Sequence, residues 1–265
     1  MFNFGRNWKA YLEIIEDSRI SQAKAGLEKL LAGIPLSGKT FLDAGSGSGL
    51  HSLAAVLMGA KVRSFDVSEQ CVECAKSLKQ KFAPSSDWEI ETGSALDAEY
   101  LRKLGQFDIV YSWGVLHHTG DLWKALDLAA RLVKPGGTLV IAVYNHQGFR
   151  TKIWKAVKWS YNALPSALRF LILVPAFARI WGPAALKDFL RGRPFQTWRS
   201  YKLRGMDPWI DVVDWVGGYP FEAAYPQKII DFYKERGFSL ANFIGVGSGW
   251  GCNEFSFVKN ADGQI

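Results

Sequence analysis

The sequence predicts an α/β domain built on a doubly wound sheet, and three observations carry that prediction. Between residues 40 and 146, short apolar runs alternate with amphipathic segments of helical length. Strands spaced by helices in this way are joined by right-handed crossovers into a parallel sheet. The run "FDIVYSW" (107–113) is almost continuously apolar, which suits a strand covered on both faces. The last two apolar runs, "SLANFIGVG" and "CNEFSFVK", are linked by "GSGWG" with no helix between them, so they pair as an antiparallel hairpin. Five strands and that hairpin make a seven-stranded sheet, mostly parallel, with the last strand antiparallel.

The elements follow in order. Residues 1–38 read as an amphipathic helical leader. Residues 40–44, in "GKTFLDAG", form a first strand, and "GLHSLAAVLMG" is a helix stopping at Gly59. "KVRSFDV" is a strand, followed by the helix "SEQCVECAKSLKQKF" capped by Ser68. "DWEIETG" and "FDIVYSW" are the third and fourth strands. "GDLWKALDLAARLVKPGG" is a helix with Asp121 near its start and a Pro-Gly-Gly stop, and "TLVIAVYN" is the fifth strand. The alternation pauses over 148–208, which is aromatic, basic and interrupted by prolines. It resumes with the helix "YPQKIIDFYKERGF" before the terminal hairpin. The predicted organisation is a leader over 1–38, a sheet domain over 39–147 and 206–260, and a helical cap inserted after strand five over 148–205.

Composition narrows the class. At 265 residues and 48% hydrophobic, the chain suits one α/β domain with a large insertion. Its start mixes charges into the apolar residues, unlike a signal peptide. The longest charge-free apolar stretch, "FLILVPAFA", lies between Arg169 and Arg179 and is well short of the roughly twenty residues of a membrane span. The reading is a soluble, cytoplasmic protein. Cys71 and Cys74 form a C-x-x-C on one face of a predicted helix, and no partner pair has matching spacing; buried packing is the favoured reading over redox or metal chemistry. The formal charge is +7, yet residues 150–205 hold twelve Lys and Arg against one acid, Asp188. The remainder of the chain is therefore net negative.

The bend after strand one reads Asp43-x-Gly45-x-Gly47-x-Gly49. A glycine turn at the carboxyl end of a parallel strand lets a ligand approach the backbone, and the helix N-terminus behind it favours an anion. A dinucleotide fingerprint would place glycine where Leu50 stands. Asp66, at the end of strand two, suits a ribose diol, since a carboxylate accepts from two hydroxyls.

These residues resemble the nucleoside-binding motifs of class I S-adenosylmethionine-dependent methyltransferases. "ETGSALD" resembles the segment after strand three that meets the adenine. "FDIVYSWGVLHHTGD" is similar to the strand-four segment of the small-molecule and quinone branch, and "RLVKPGGTLVIAVYN" to its passage into strand five. The resemblance spans about 40–146 and 226–258. It implies a Rossmann-like transferase binding S-adenosylmethionine, with S-adenosylhomocysteine as product, on Asp43, Gly45, Ser46, Gly47, Gly49, Asp66, Val67, Ser94, Ala95 and Trp113. Many relatives have Asp where this chain has Ser94. The leader helix, with Asn7, Trp8 and Tyr11, is implied to fold over the same ligand. No metal is implied.

Methyl transfer from a sulfonium is an in-line displacement, so alignment and exclusion of water do most of the work. A base is needed where the nucleophile must lose a proton. The candidates are His117 (with His118) after strand four, Tyr144 with Asn145 and His146 after strand five, and Asp211 and Glu222. The last two lie in an acid- and aromatic-rich stretch that includes Arg204, Asp207 and Asp214, at a usual lid position in the family. The acceptor is read as a small metabolite or a lipid- or glycan-linked molecule, with O-methylation preferred. A nucleic-acid methyltransferase, a noncatalytic adenosyl-ligand-binding protein and a nicotinamide oxidoreductase are the alternatives. The basic, aromatic insertion is read as a solvated cap, as a surface for anionic membrane, or, least favoured, as a nucleic-acid contact.

Overall fold

A computed structural model describes residues 17–203 and 208–261. Its helices and strands form two compact units: a sheet unit running up to Gln147 and resuming at Glu222, and a helical unit over Gly148–Phe221. The helix at Pro208–Gly217 therefore groups with the insertion rather than with the sheet.

The sheet has seven strands in the order β3-β2-β1-β4-β5-β7-β6. They are β1 (Thr40–Ala44), β2 (Lys61–Asp66), β3 (Trp88–Thr92), β4 (Phe107–Trp113), β5 (Val133–Tyr144), β6 (Phe238–Ile244) and β7 (Cys252–Lys259). The first five pair in parallel, and β7 runs antiparallel to both β5 and β6. This is the doubly wound, mostly parallel sheet that the alternation and the terminal hairpin predict.

The helices of this unit are α1 (Asp17–Leu31), α2 (Leu50–Leu57), α3 (Glu69–Phe82), α4 (Ala98–Leu104), α5 (Leu122–Arg131) and α10 (Pro226–Lys234). Both sheet faces are covered. Leu42, Val110, Leu139 and Ile141 pack with α5 and α10, while Phe41, Val62, Ile109 and Val140 pack with α1, α2 and α3. Cys71 and Cys74 are buried in α3, where burial pushes the Cys71 thiol up to about 12.

An added helix and an earlier strand start depart from the sequence reading. Helix α4 is not predicted; it begins at Asp97, whose carboxylate accepts the Glu99 and Tyr100 N–H groups, and has only seven residues. Strand β5 begins at Val133, ahead of the Pro-Gly-Gly, because Val133 already pairs with Phe107.

The helical unit contains α6 (Phe149–Ala163), α7 (Phe170–Leu190), α8 (Gln196–Leu203) and α9 (Pro208–Gly217). The prolines that suggest interruption do not break α7, which runs for 21 residues through Pro175 and Pro183. Aromatic contacts hold the unit: Phe177 meets Trp198 and Trp209, Trp181 meets Trp198 and Tyr201, and Trp154 meets Trp215. Asp188 ties α7 to α8 by accepting the Thr197 N–H at 2.6 Å and its hydroxyl at 2.8 Å.

Candidate functional site

Strand order reverses at β1, whose neighbours β2 and β4 lead to opposite halves of the sheet. Ligands of open parallel sheets bind beyond the carboxyl ends of the strands at such a point. The glycine bend leaves β1 there. Gly45 and Ser46 both donate their N–H to the Phe65 carbonyl, and the Gly49 N–H returns to the Ser46 carbonyl, making a tight turn. Gly45, Gly47 and Gly49 all have positive φ, at 82°, 54° and 82°. The glycines also serve packing. A Cβ on Gly45 would lie 2.4 Å from a Val115 methyl, and one on Gly49 would lie 2.7 Å from the Ala75 Cβ.

Asp66 closes the bend from the neighbouring strand. One carboxylate oxygen accepts the Gly47 N–H and the other the Ser68 N–H, both at 2.9 Å. Burial raises its pKa, opposed by those hydrogen bonds. Each oxygen keeps a further lone pair, which suits a ribose diol. Asp43 lies deeper, at 2% exposure, and accepts the Ser52 hydroxyl at 2.6 Å. Burial raises it to about 7, and the Asp66 charge adds to the rise. Ser46 Oγ is buried without a hydrogen-bond partner at this bend. The bend, its orphaned hydroxyl and the two acids fit an adenosyl ligand.

The rim is polar and aromatic. Val67 is exposed beside Asp66, and Trp113, 43% exposed at the end of β4, donates its indole N–H to Glu254 at 2.8 Å. Ser94 Oγ accepts the Leu96 N–H within its own turn, and Ala95 is half-buried beside it. His51 went unnoticed in the sequence. It sits in the first turn of α2 between the rings of Tyr111 and Trp113, at 5.3 and 6.5 Å, and burial lowers its pKa to about 4. Its signal was its place two residues beyond Gly49.

Of the predicted bases, His117, Tyr144 and Glu222 belong to the sheet unit and Asp211 to the helical unit. His117 is fully buried in the turn after β4, with the Tyr144 ring 4.0 Å away and the His118 ring at 4.5 Å, while His118 is half-buried. These three rings are brought together. The Glu222 carboxylate accepts the Leu122 N–H at the start of α5, and its own N–H binds the His117 carbonyl. The Asn145 side chain donates to the Gly247 carbonyl and accepts from Asn253, pinning the β6–β7 turn. The His146 ring lies 4.3 Å from the Tyr225 ring. Asp211 lies in the helical unit, where it accepts the Tyr201 hydroxyl at 3.0 Å and burial raises its pKa. Asn7, Trp8, Tyr11, Arg204 and Asp207 lie outside the described residues.

Comparison with known proteins agrees with this geometry. Residues 42–141 match the model of a methyltransferase domain. That matched stretch is a methyltransferase domain. Among similar proteins are ubiquinone biosynthesis O-methyltransferases. The Thiobacillus denitrificans enzyme is 33% identical over 111 residues, 42% of this chain and 47% of its own length. The Coxiella burnetii enzyme is 33% identical over 135 residues, 50% of this chain and 55% of its own. The chain thus spans about half the length of the curated relatives it matches. Among solved structures, magnesium protoporphyrin IX methyltransferase from Synechocystis PCC 6803 with bound SAH gives a TM-score of 0.54 at 17% identity, covering 91% of this chain and 83% of that one. An O-methyltransferase family protein from Burkholderia thailandensis gives 0.58 at 14% identity, covering 98% and 61%. These structural likenesses establish the methyltransferase fold, and the match over 42–141 places the glycine bend, Asp66 and the β4 turn inside the domain's shared region.

Proposed function

We propose that the chain is an S-adenosylmethionine-dependent methyltransferase that methylates a hydroxyl of a small metabolite or of a lipid- or glycan-linked acceptor. One observation carries the reading: the Asp66 carboxylate spans the glycine bend, receiving the Gly47 and Ser68 N–H groups, at the point where strand order reverses. The ubiquinone O-methyltransferase relatives support oxygen as the methylated atom.

When bound, the donor supplies an activated methyl group on a sulfonium. The chain's residues have simpler tasks. Asp66, with Val67 and the turn at Ser94 and Ala95, holds the nucleoside, and the bend from Gly45 to Gly49 admits it close to the backbone. Trp113 walls the rim, held by Glu254. His117, His118 and Tyr144 form the polar cluster beyond β4 and β5, where an acceptor hydroxyl is oriented and its proton taken.

The test uses donor labelled in its methyl group, incubated with the purified chain and a host extract. Lipid, small-molecule, RNA and protein fractions are then separated. Label in the lipid or small-molecule fraction, absent with Asp66→Ala, supports the reading. Label in RNA replaces the acceptor class. Donor binding without label in any fraction turns the reading towards a noncatalytic adenosyl-ligand-binding protein.

A further inference from the structure

Helix α7 has an unusual division of faces. Leu173 and Ala176 are buried on one side, and the neighbouring Phe177 and Trp181 rings pack on Trp198, Tyr201 and Trp209 of the helical unit. Leu171, Val174, Ala178, Ala185 and Phe189 recur at helical spacing on the other side, and all are exposed. Phe189 and Leu190 reach 72% and 76% exposure, and Phe195 in the following corner reaches 64%. The stretch Ser166–Leu190 is long and apolar enough to cross a membrane, yet only 11% of its most apolar window is buried, the reverse of a core helix. The nine-residue charge-free run understated this face, because the exposed apolar residues continue past Arg179.

Charge surrounds the same face. Arg179, Lys187, Arg191, Arg193 and Arg199 are exposed. Beside the α7–α8 corner is a hollow of about 490 Å³ lined by Arg193, Pro194, Gln196, Arg199 and Ser200. Two guanidinium groups, an amide and a hydroxyl make a donor set suited to phosphate oxygens.

We propose that the outer face of α7 and the Arg191–Arg199 corner form a docking surface for an anionic phospholipid bilayer, with α7 lying in the plane of the headgroups. Apolar side chains ringed by Lys and Arg are the signature of an interfacial helix. Two features favour lying over spanning. Arg179 sits mid-helix, and the inner face is already committed to α8 and α9, which carry their own charges. Nucleic acid would satisfy the arginines but offers no apolar phase for Leu171, Val174 and Leu190. The inference rests on the helical unit alone and is independent of the proposed methyl transfer.

The test is flotation of the full chain with vesicles of pure phosphatidylcholine or of phosphatidylcholine mixed with phosphatidylglycerol. Binding to the mixed vesicles, weak on pure phosphatidylcholine, is expected. Arg193→Ala with Arg199→Ala should weaken it about thirtyfold, in line with the surface attraction of two cations. Leu171→Ser with Phe189→Ser should weaken it comparably. All four side chains are exposed, and circular dichroism checks the fold of each variant. As a measurement needing no variant, tryptophan fluorescence should be quenched by lipids brominated along the acyl chain. Equal binding to both vesicle types would overturn the proposal. So would unchanged binding of the Leu171/Phe189 variant, absence of quenching, tighter binding to RNA than to vesicles, or self-association of the chain through this face without vesicle binding. Competition by inorganic phosphate at concentrations that leave ionic strength unchanged would assign the hollow to free phosphate and overturn its part.

Discussion

The rings of His117 and Tyr144 lie 4.0 Å apart, centroid to centroid. They meet because β4 and β5 run in parallel register, with Trp113 opposite Ala142, and each strand delivers its ring just beyond that pair. Two variants separate chemistry from packing. Tyr144→Phe keeps the ring and removes the hydroxyl; kcat should fall about 10²-fold or more if that hydroxyl serves the acceptor. Donor affinity, read by calorimetry, should stay as it was. His117→Ala should additionally lower stability by about 2–5 kcal/mol, because a fully buried ring leaves a cavity. A Tyr144→Phe enzyme with unchanged kcat would remove Tyr144 from the reaction.

Asp66→Ala tests the donor site. The substitution removes the carboxylate proposed to hold the ribose and frees the Gly47 and Ser68 N–H groups. Hydrogen bonds to a charged group are worth about 1.5–3 kcal/mol each, so S-adenosylhomocysteine affinity should drop at least about tenfold. Asp66→Asn, which keeps size and one acceptor oxygen, should fall between. Calorimetric titration reads the affinity and near-ultraviolet circular dichroism the fold. Undiminished affinity in a folded Asp66→Ala protein would sink the cofactor assignment.

Gly49 and Gly105 separate overpacking from backbone strain in a stability experiment. Gly49 lies in the left-handed helical region, at φ 82° and ψ 9°, and a Cβ there would press on the Ala75 Cβ at 2.7 Å and approach Trp88 at 3.3 Å. Gly49→Ala should cost about 1 kcal/mol of backbone strain and about 1–3 kcal/mol more for overpacking. Gly105, at φ 79° and ψ −152°, holds a backbone conformation essentially restricted to glycine, and a Cβ there would meet nothing within 4 Å. Gly105→Ala should therefore cost about 1–3 kcal/mol from strain alone. Denaturant unfolding of both variants measures the losses. A loss of no more than about 1 kcal/mol in Gly49→Ala would mean that α3 yields to the added methyl.

How much of this was readable in advance follows physical range. Strand β4 was legible residue for residue, since a continuous apolar run is its own signal. The bend and its two acids were legible because Asp43, Gly45, Gly47 and Gly49 are local and Asp66 ends the next strand. Helix α4 escaped because seven residues bury only Leu101 and Leu104, too few to show a period. The passage of α7 through two prolines was hidden, since local propensity argues against it. Contacts between distant segments were out of reach: nothing near Glu222 says that its carboxylate caps α5, nor near Asn145 that it holds the β6–β7 turn.

Lys158 gives a pH signature to the helical unit. Its side chain is fully buried, its ammonium position lies 4.1 Å from the Trp215 ring centroid and 4.8 Å from that of Phe221, and it donates to the Trp215 carbonyl. Burial lowers its pKa from 10.5 to about 7. In the unfolded chain the amine holds its proton up to about 10.4, so across the interval between these values the unfolded state binds more protons than the folded one. Stability contributed at this site therefore rises with pH over that window. Below it both states are charged and the full cost of burying the cation remains; above it neither is charged and the cost is gone. Lys158→Met fills similar space without a charge. Its unfolding free energy, relative to the unmodified chain, should shift against the variant by up to about 1.4 kcal/mol per pH unit between about pH 7 and 10. Other titrating groups cancel in that difference, and any constant packing effect shifts the line without tilting it. Denaturant melts of both proteins across the window measure the slope. A flat difference would show that Lys158 keeps its proton in the folded chain, held by the two rings and the Trp215 carbonyl.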